Sequence, residues 1–276
     1  MEPLNLSPAS EPSSDEVTVE GREPIAVDTH CHLFLVEHDT AEVVAAARSA
    51  GVGRLICVGI DHESSRRSRE LAESFHGVFA SAGVHPHTAS DFDGPTGSAI
   101  EELLADPLVV AVGETGLDFY RRLSTPDDQR RVFRIHIALA RESGKPLIVH
   151  VRDAWEDALA ILGEEKAERV ILHCFSGDER IAAEAMARGY FVSFAGNLTY
   201  PKAVPLRRAA AVVEETQLLV ETDSPFLPPQ SRRGSANQPS NLTAVLSELA
   251  EVRRVNLDRI IGSTAHAARA AFSLLP

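Results

Sequence analysis

The stretch LVVAVGETGLD, residues 108–118, holds the pattern on which the whole chain is built. A short aliphatic run, Leu108–Gly113, ends in glycine, and Glu114 and Asp118 follow at once. Near-continuous hydrophobicity over a few residues suits a parallel strand covered on both faces. Acidic residues directly after it suit the rim at which such strands end.

The pattern recurs in both directions. Strands are expected at Ile25–Asp28, Arg54–Val58 and Val78–Val84 before it, and at Leu147–His150, Val170–His173, Tyr190–Phe194 and Leu218–Glu221 after it. They are short, rich in β-branched or aliphatic residues, and bounded by Gly, Pro or charge. Helices are expected between them. Thr40–Ala50 is apolar at Val43, Val44 and Ala47 and stops at Gly51. Pro126–Ser143 has Pro126 near its start, Asp127 and Asp128 in its first turn and Gly144 after its end, the usual polarity of helix punctuation. Asp153–Leu162, Asp178–Arg188 and Asn241–Arg253 read alike. Eight strands alternating with helices predict a single (β/α)8 TIM barrel over residues 25–276, since such barrels need about 250 residues. A doubly wound open sheet is the alternative, and the GxGxxG loop it would carry after the first strand is missing. Residues 1–24 are rich in Ser, Pro and Glu and are expected to form a disordered acidic tail.

Function is read from the strand tips. Tip one carries Asp28, Thr29, His30, Cys31 and His32; tip three His85 and His87; tip four Glu114 and Asp118; tip five His150 and Arg152; tip six His173 and Cys174; tip eight Glu221 and Asp223. Six of the chain's 11 histidines fall there. In a barrel these tips form one ring on the catalytic face. The other five, His38, His62, His76, His136 and His266, are expected to be exposed or capping.

His30 and His32 are two apart, so on a strand both imidazoles face the same side. A lone HxH is common by accident. HxH with a tip Glu, two tip histidines and a tip Asp is a metal-ligand set, of a kind that suits Zn²⁺, Mn²⁺ or Mg²⁺. Six donors exceed the needs of one tetrahedral ion. Two divalent ions sharing a carboxylate fit better, roughly 3.5–4 Å apart as in two-metal hydrolases. His30, His32 and Asp223 are expected to hold the first ion, His150 and His173 the second, with Glu114 as the bridge. Asp223, at a tip beside the attacking water, is the expected general base.

Ile25 to the C-terminus resembles the TatD-type metal-dependent deoxyribonucleases of the amidohydrolase-like barrels. The matching motifs are DTHCHL at 28–33, GVHPH at 83–87, VGETGLDFY at 112–120, KPLIVHVRDA at 145–154, HCFSG at 173–177, SFAGNLTYPKA at 193–203 and ETDSPFLPP at 221–229. The resemblance implies a TIM barrel, a divalent metal centre and 3′–5′ exonuclease-type hydrolysis of DNA, single-stranded or at its ends. It places the family's ligands on His30, His32, Glu114, His150, His173 and Asp223, and leaves His85 either to face the substrate phosphate or to pack the pocket wall. Two positions depart from the family pattern. Asn237-Gln238-Pro239 stands where Asn-Glu-Pro is common, and Ser263-Thr264-Ala265 where Asn-Thr often precedes a final helix. The second is expected to concern helix capping.

Other residues are candidates for substrate contact. Arg152 can fork onto a phosphate or form a structural salt bridge. Arg232, Arg233 and Asn237 can meet a nucleic-acid backbone, and Phe119, Tyr120, Phe175 and Tyr200 can stack an end nucleotide. Trp155 is expected in the core.

Charge bounds the partners. The net charge is −13, of which residues 1–24 contribute −5, and no basic stretch exists to grip a duplex. An anionic substrate must therefore be held locally. Cys31, Cys57 and Cys174 form no CxxC pair, which points to a reducing compartment and small buried thiols. No signal peptide or apolar span is legible, so the expected location is the cytoplasm, with no membrane contact and no obligate protein partner. Two other functions share these residues: hydrolysis of an amide or ester, as in D-aminoacyl-tRNA deacylation, and a non-catalytic nucleic-acid-binding barrel. The second predicts a damaged ligand set, and all six ligands are present.

Overall fold

The computed structural model describes residues 25–274. The expected tail at residues 1–24 lies outside the described residues. Eight strands pair in sequence order, every pair parallel. They are β1 Ala26–Cys31, β2 Val52–Val58, β3 Val78–Ala82, β4 Val109–Asp118, β5 Leu147–Arg152, β6 Val170–Leu172, β7 Phe191–Phe194 and β8 Leu218–Val220. Helices α1 Thr40–Ser49, α2 His62–Ser74, α3 Gly94–Leu104, α4 Pro126–Ser143, α5 Trp155–Glu164, α6 Glu179–Ala187, α7 Val204–Val212 and α8 Leu242–Arg253 follow the eight strands in turn. A further helix, α9 Leu257–Phe272, ends the described chain. This is the expected (β/α)8 TIM barrel.

The ring closes beyond β8. Asp223 N–H donates to His30 O at 2.8 Å, His32 N–H to Ser224 O at 2.7 Å, and Cys31 bridges Ser224 in parallel. The segment that closes the barrel thus carries Asp223 to His30 and His32.

Two layers of apolar packing separate the faces of the sheet. Inside the barrel, Val27, Ile56, Ala111, Ile148, Ile171 and Leu219 form one cluster, and α9 packs Ala265, Ala268, Ala271 and Phe272 on it. Outside, alternate strand residues such as Leu55, Val112 and Val149 pack with the helices. The interior is therefore filled with apolar side chains below the strand ends.

α4 has the expected bounds. Thr125 Oγ1 accepts from Asp128 N–H at 3.1 Å, and Gly144 closes the helix at φ 66°. Several edges moved. β1, β4 and β5 run on through Cys31, Asp118 and Arg152, whereas β3, β6 and β8 stop at Ala82, Leu172 and Val220. His85, His173 and Asp223 thus stand on turns past strand ends. Four helices had no apolar stripe to announce them or were masked by breakers. α2 buries Ser64, Ser65, Ser68 and Ala72, and α3 opens Gly94-Pro95-Thr96-Gly97 behind its Asp93 cap. α7 and α9 bury mostly alanines.

Ser263-Thr264-Ala265 is not a cap. α9 starts six residues earlier, Asn256 Oδ1 accepts from Arg259 N–H at 2.8 Å, and Thr264 Oγ1 donates back to Ile260 O at 2.7 Å. His136 is not exposed. It is fully buried on α4, where its Nε2 accepts from Val84 N–H at 3.0 Å and its Nδ1 donates to Val132 O at 2.9 Å. His38, His62, His76 and His266 are exposed as expected. Trp155 is half-buried and packs on Phe175, 5.1 Å between centroids.

Candidate metal centre

Glu114 sits at the middle of the tip ring because β4 makes room for it. Gly113, at φ 127°, precedes it, and a Cβ there would meet Ile148 O at 2.6 Å; at Gly116, φ 131°, a Cβ would meet His150 O at 2.1 Å. Only glycine lets β4 press so closely on β5, and the pairing shifts register between Val112 and Thr115. The Glu114 carboxylate, 2% exposed, is thereby thrust into the barrel mouth.

Its two oxygens face different histidines. Glu114 Oε2 lies 3.3 Å from His30 Nε2 and 3.9 Å from His32 Nε2. Glu114 Oε1 lies 2.8 Å from His173 Nε2 and 3.0 Å from His150 Nδ1. Asp223 closes the first side, with Oδ1 at 3.5 Å from His32 Nε2 and 3.9 Å from His30 Nε2. All six residues singled out from the sequence converge. The halves are contiguous, since the His30 and His173 rings stack at 3.9 Å. Donor atoms of His30, His173 and Asp223 also lie within 4.8 Å of one another, as do those of His30, His32 and Glu114, and of His85, Glu114 and His150.

The donor chemistry fits cations. His32 Nδ1 is 2.8 Å from Val58 O. A carbonyl only accepts, so in the neutral ring Nδ1 holds the proton and Nε2 a lone pair. That lone pair faces His30 Nε2 at 3.2 Å and two carboxylates. His173 repeats the logic, with Nδ1 at 3.1 Å from Glu221 Oε1 and a lone pair towards Glu114. Lone pairs aimed at anionic oxygens repel unless a positive charge lies between them. A proton is one solution. Burial pushes His173 down, but Glu114 and Glu221 outweigh it and hold the ring well above the usual histidine range. Burial likewise opposes protonation of His32 and His150, and the facing carboxylates raise both. Burial would lift the Glu114 carboxyl; His173, His85 and His30 hold it well below the ordinary value instead. A divalent cation is the other solution, and it competes for the same lone pairs.

His85 differs from the six. Its Nδ1 accepts from His87 N–H at 3.1 Å, so its Nε2 carries the proton and points to Glu114 Oε1 at 3.4 Å. Burial pushes its pKa well below the usual value. It is a neutral N–H donor, not a lone-pair donor.

Three supports were not legible as such. Glu221, fully buried, accepts from His173 and from Cys174 N–H at 2.8 Å. Asp118 accepts from His87 Nε2 at 2.9 Å and lies 3.5 Å from His150 Nε2, a ring atom with no other partner. Burial raises the Asp118 carboxyl, but His150, Arg121 N–H and His87 hold it far below the normal range. Asp28 ties β1 to the closing segment, accepting from Thr222 N–H at 2.9 Å and Thr222 Oγ1 at 2.6 Å; burial pushes it up to about 7. Each of these acids stood at a tip, but only the fold shows which ones face a ring.

A cavity of about 590 Å³ opens over the cluster, walled by His85, Arg121, Arg152, Ser176, Asn197 and Phe226. Arg152 is exposed and lies 4.0 Å over the Tyr120 ring, which is 61% exposed; among the described residues it forms no salt bridge. The other aromatic candidates are engaged. Phe175 is fully buried against Phe194, Phe119 lies beneath Arg130, and Tyr200 OH donates to Pro228 O at 2.9 Å. Asn237 is also buried, its Nδ2 donating to Thr222 O and Phe226 O, so it braces the closing loop. Arg232 and Arg233 are exposed, and Arg233 lies over Tyr200. Cys31 Sγ turns away from the cluster to Ile56 O, and Cys57 is buried. Cys174 borders the cavity with its thiol pushed well up by burial.

Fold and site together define a barrel hydrolase with a histidine–carboxylate metal centre at the C-terminal ends of its strands. Comparison with known proteins agrees. The family model described as TatD related DNase matches residues 27–273. The chain is 38% identical to a metal-dependent hydrolase, YabD, of Bacillus subtilis, over 90% of this chain and 98% of that protein. It is 37% identical to the 3′-5′ ssDNA/RNA exonuclease TatD of Cronobacter sakazakii, over 79% and 85% of the two chains. The crystal structure of YjjV, a TatD homolog from Escherichia coli, superposes with a TM-score of 0.84 at 28% identity, covering 91% and 98% of the chains. The chain belongs to the TatD-related DNase family and is a metal-dependent hydrolase. Among the described residues, no helix is long and apolar enough to cross a membrane.

Proposed function

We propose that the protein is a phosphodiesterase that removes nucleotides from the 3′ ends of single-stranded DNA, using two divalent ions, Mg²⁺, Mn²⁺ or Zn²⁺. The observation that carries this reading is the split carboxylate: Glu114 presents Oε2 to His30 and His32 and Oε1 to His150 and His173. One carboxylate with a histidine pair at each oxygen is the ligand arrangement that two adjacent ions need. His30, His32 and Asp223 would hold one ion and His150 and His173 the other. Such ions, when bound, acidify water and neutralise charge on the phosphoryl group.

The remaining work belongs to the chain. Asp223 Oδ takes the proton as water attacks phosphorus, the P–O3′ bond to the shortened strand breaks, and the freed 3′ oxygen takes up a proton from solvent. His85 Nε2–H donates to a non-bridging phosphate oxygen. Arg152, with its guanidinium laid on Tyr120, meets the phosphate or the end base from the rim. Glu221 and Asp118 orient His173 and His150, as carboxylates behind metal-bound histidines do. The rim has two exposed rings, Tyr120 beside the Arg152 cation and Phe226, and no broad basic field among the described residues, which favours an end over a duplex. The exonuclease named among the relatives supports the same substrate.

The test is hydrolysis of 3′- and 5′-labelled single-stranded DNA with each metal. A ladder shortening from the 3′ end is expected. No ladder with any of the three ions refutes the reading, and turnover of D-aminoacyl-tRNA in its place reassigns the site to ester hydrolysis.

A further inference from the structure

One wall of the cavity has a polar group that neither the metal cluster nor the rim uses. Asn197 lies on the turn Gly196–Thr199 just past β7 and borders the cavity. Its Oδ1 is buried and accepts no hydrogen bond among the described residues. Buried polar atoms in native proteins are nearly always paired, so an orphan beside a binding cavity marks a missing partner.

The backbone of the turn is held in place. A Cβ at position 196 would meet Leu227 O at 2.1 Å, so the glycine lets the turn lie directly on the loop after β8. Thr199 Oγ1 donates to Gly196 O and accepts from Gln230 N–H, both at 2.7 Å. Arg207 Nη1 donates to Leu198 O at 3.0 Å and Tyr200 O at 2.8 Å. The backbone is fixed from three sides while the amide is left unmatched. The last torsion of Asn is soft and broad, so the amide turns into the cavity without moving the turn.

We propose that Asn197 is a specificity-determining residue that accepts a hydrogen bond from an O–H or N–H of the nucleotide at the scissile end. The inference rests on the nuclease reading and gives it a contact that reads the sugar or base, where the metals and Arg152 act on phosphate. The amide carries two N–H donors as well as Oδ1, and the oxygen is the end that is buried without a partner among the described residues, so a donor from the ligand is what completes it. The end nucleotide offers two, the terminal sugar hydroxyl and the exocyclic amine of its base.

The experiment uses the metal-loaded full chain and its Asn197→Ala variant. Substrates are single-stranded oligonucleotides ending in adenosine, in dideoxyadenosine, or in a purine lacking the amine, with bis(p-nitrophenyl) phosphate as a diester lacking sugar and base. The variant is expected to lose about tenfold in kcat/KM on the adenosine end, mainly through KM, as removal of one buried hydrogen bond does. Its thermal midpoint and its turnover of the simple diester are expected to stay unchanged. The wild type is expected to lose a similar factor on one modified end, and the variant nothing further on that end. Which end shows this coupling tells sugar from base. Equal oligonucleotide kinetics in the two proteins overturn the proposal and leave the nuclease reading intact. Equal losses on oligonucleotide and simple diester overturn it as well, because the residue then acts on the cluster. A wild type that cleaves the simple diester but no oligonucleotide overturns both.

Discussion

The two halves of the histidine–carboxylate cluster are built differently. His30 lies on β1 and His32 is the first residue past it, their side chains 0% and 3% exposed, and His32 is oriented by a backbone carbonyl. His150 and His173 come from two elements, the His150 side chain is 19% exposed, and both rings face carboxylates, Asp118 and Glu221. The first half is rigid because barrel closure itself positions it: Asp28 bonds Thr222, and Asp223 N–H bonds His30 O. The second half depends on charged side chains that raise ligand basicity. Metal at the first half should therefore be held by the architecture, and at the second by tunable electrostatics.

Glu114→Ala is the change that removes both halves at once. Bound metal, measured by elemental analysis, should fall from two equivalents to none, with activity lost to background. Retention of both ions would show that Glu114 is not the bridge. Asp223→Asn comes next. It weakens one half and deletes the base, so kcat should drop by about 10²–10⁴, the range of general base catalysis, with the fold intact by circular dichroism. Near-normal turnover would strip Asp223 of its role.

Glu221→Gln and Asp118→Asn separate the halves. Each should weaken the His150–His173 half by about 10–100-fold in metal affinity and leave the other untouched. Titration of the apo-protein with Zn²⁺ should then show one weakened site and one normal site. Equal weakening of both would mean that the halves form a single coupled unit.

The smallest effect lies behind the centre, at His136, which anchors the segment leading to His85. Burial holds its pKa down to about 4, against 6.5 for the free side chain. Above pH 6.5 the ring is neutral folded or unfolded. As pH falls from 6.5 towards 4, the unfolded chain binds a proton that the native state refuses, and stability falls by about 3 kcal/mol. His136→Gln, which keeps an acceptor for Val84 N–H, should lose less stability between pH 7 and 4.5 in urea unfolding. An unchanged slope would place the ring's titration elsewhere.

The difference between the halves also explains what was legible. HxH is a local signal on one strand, so His30 and His32 could be read together. His150 and His173 were readable because each ends an aliphatic run. Their supports were not, since Asp118 and Glu221 look like other tip acids until the rings are placed. His136 was misread because a histidine in a polar-looking helix gives no sign of the buried N–H it accepts from. Helices α2 and α9 were missed for a related reason: serines and alanines fill tight spaces against the sheet without an aliphatic stripe. Asn237 looked like a surface contact, yet it is consumed by backbone carbonyls of the loop it braces.

The sequence alone determined the barrel, because eight aliphatic runs with polar tips admit few other solutions, and it named the six converging residues. Only the tertiary structure decided how they divide. It took the close approach of Gly113 to β5 to thrust Glu114 between the histidine pairs, and the closure of β8 on β1 to bring Asp223 to His30 and His32. It took the turn after β7 to leave Asn197 Oδ1 without a partner among the described residues, beside the cavity. Residue types fix which groups can donate or accept; the distances between chain segments fix which of them meet, and which keep a free valence for a ligand.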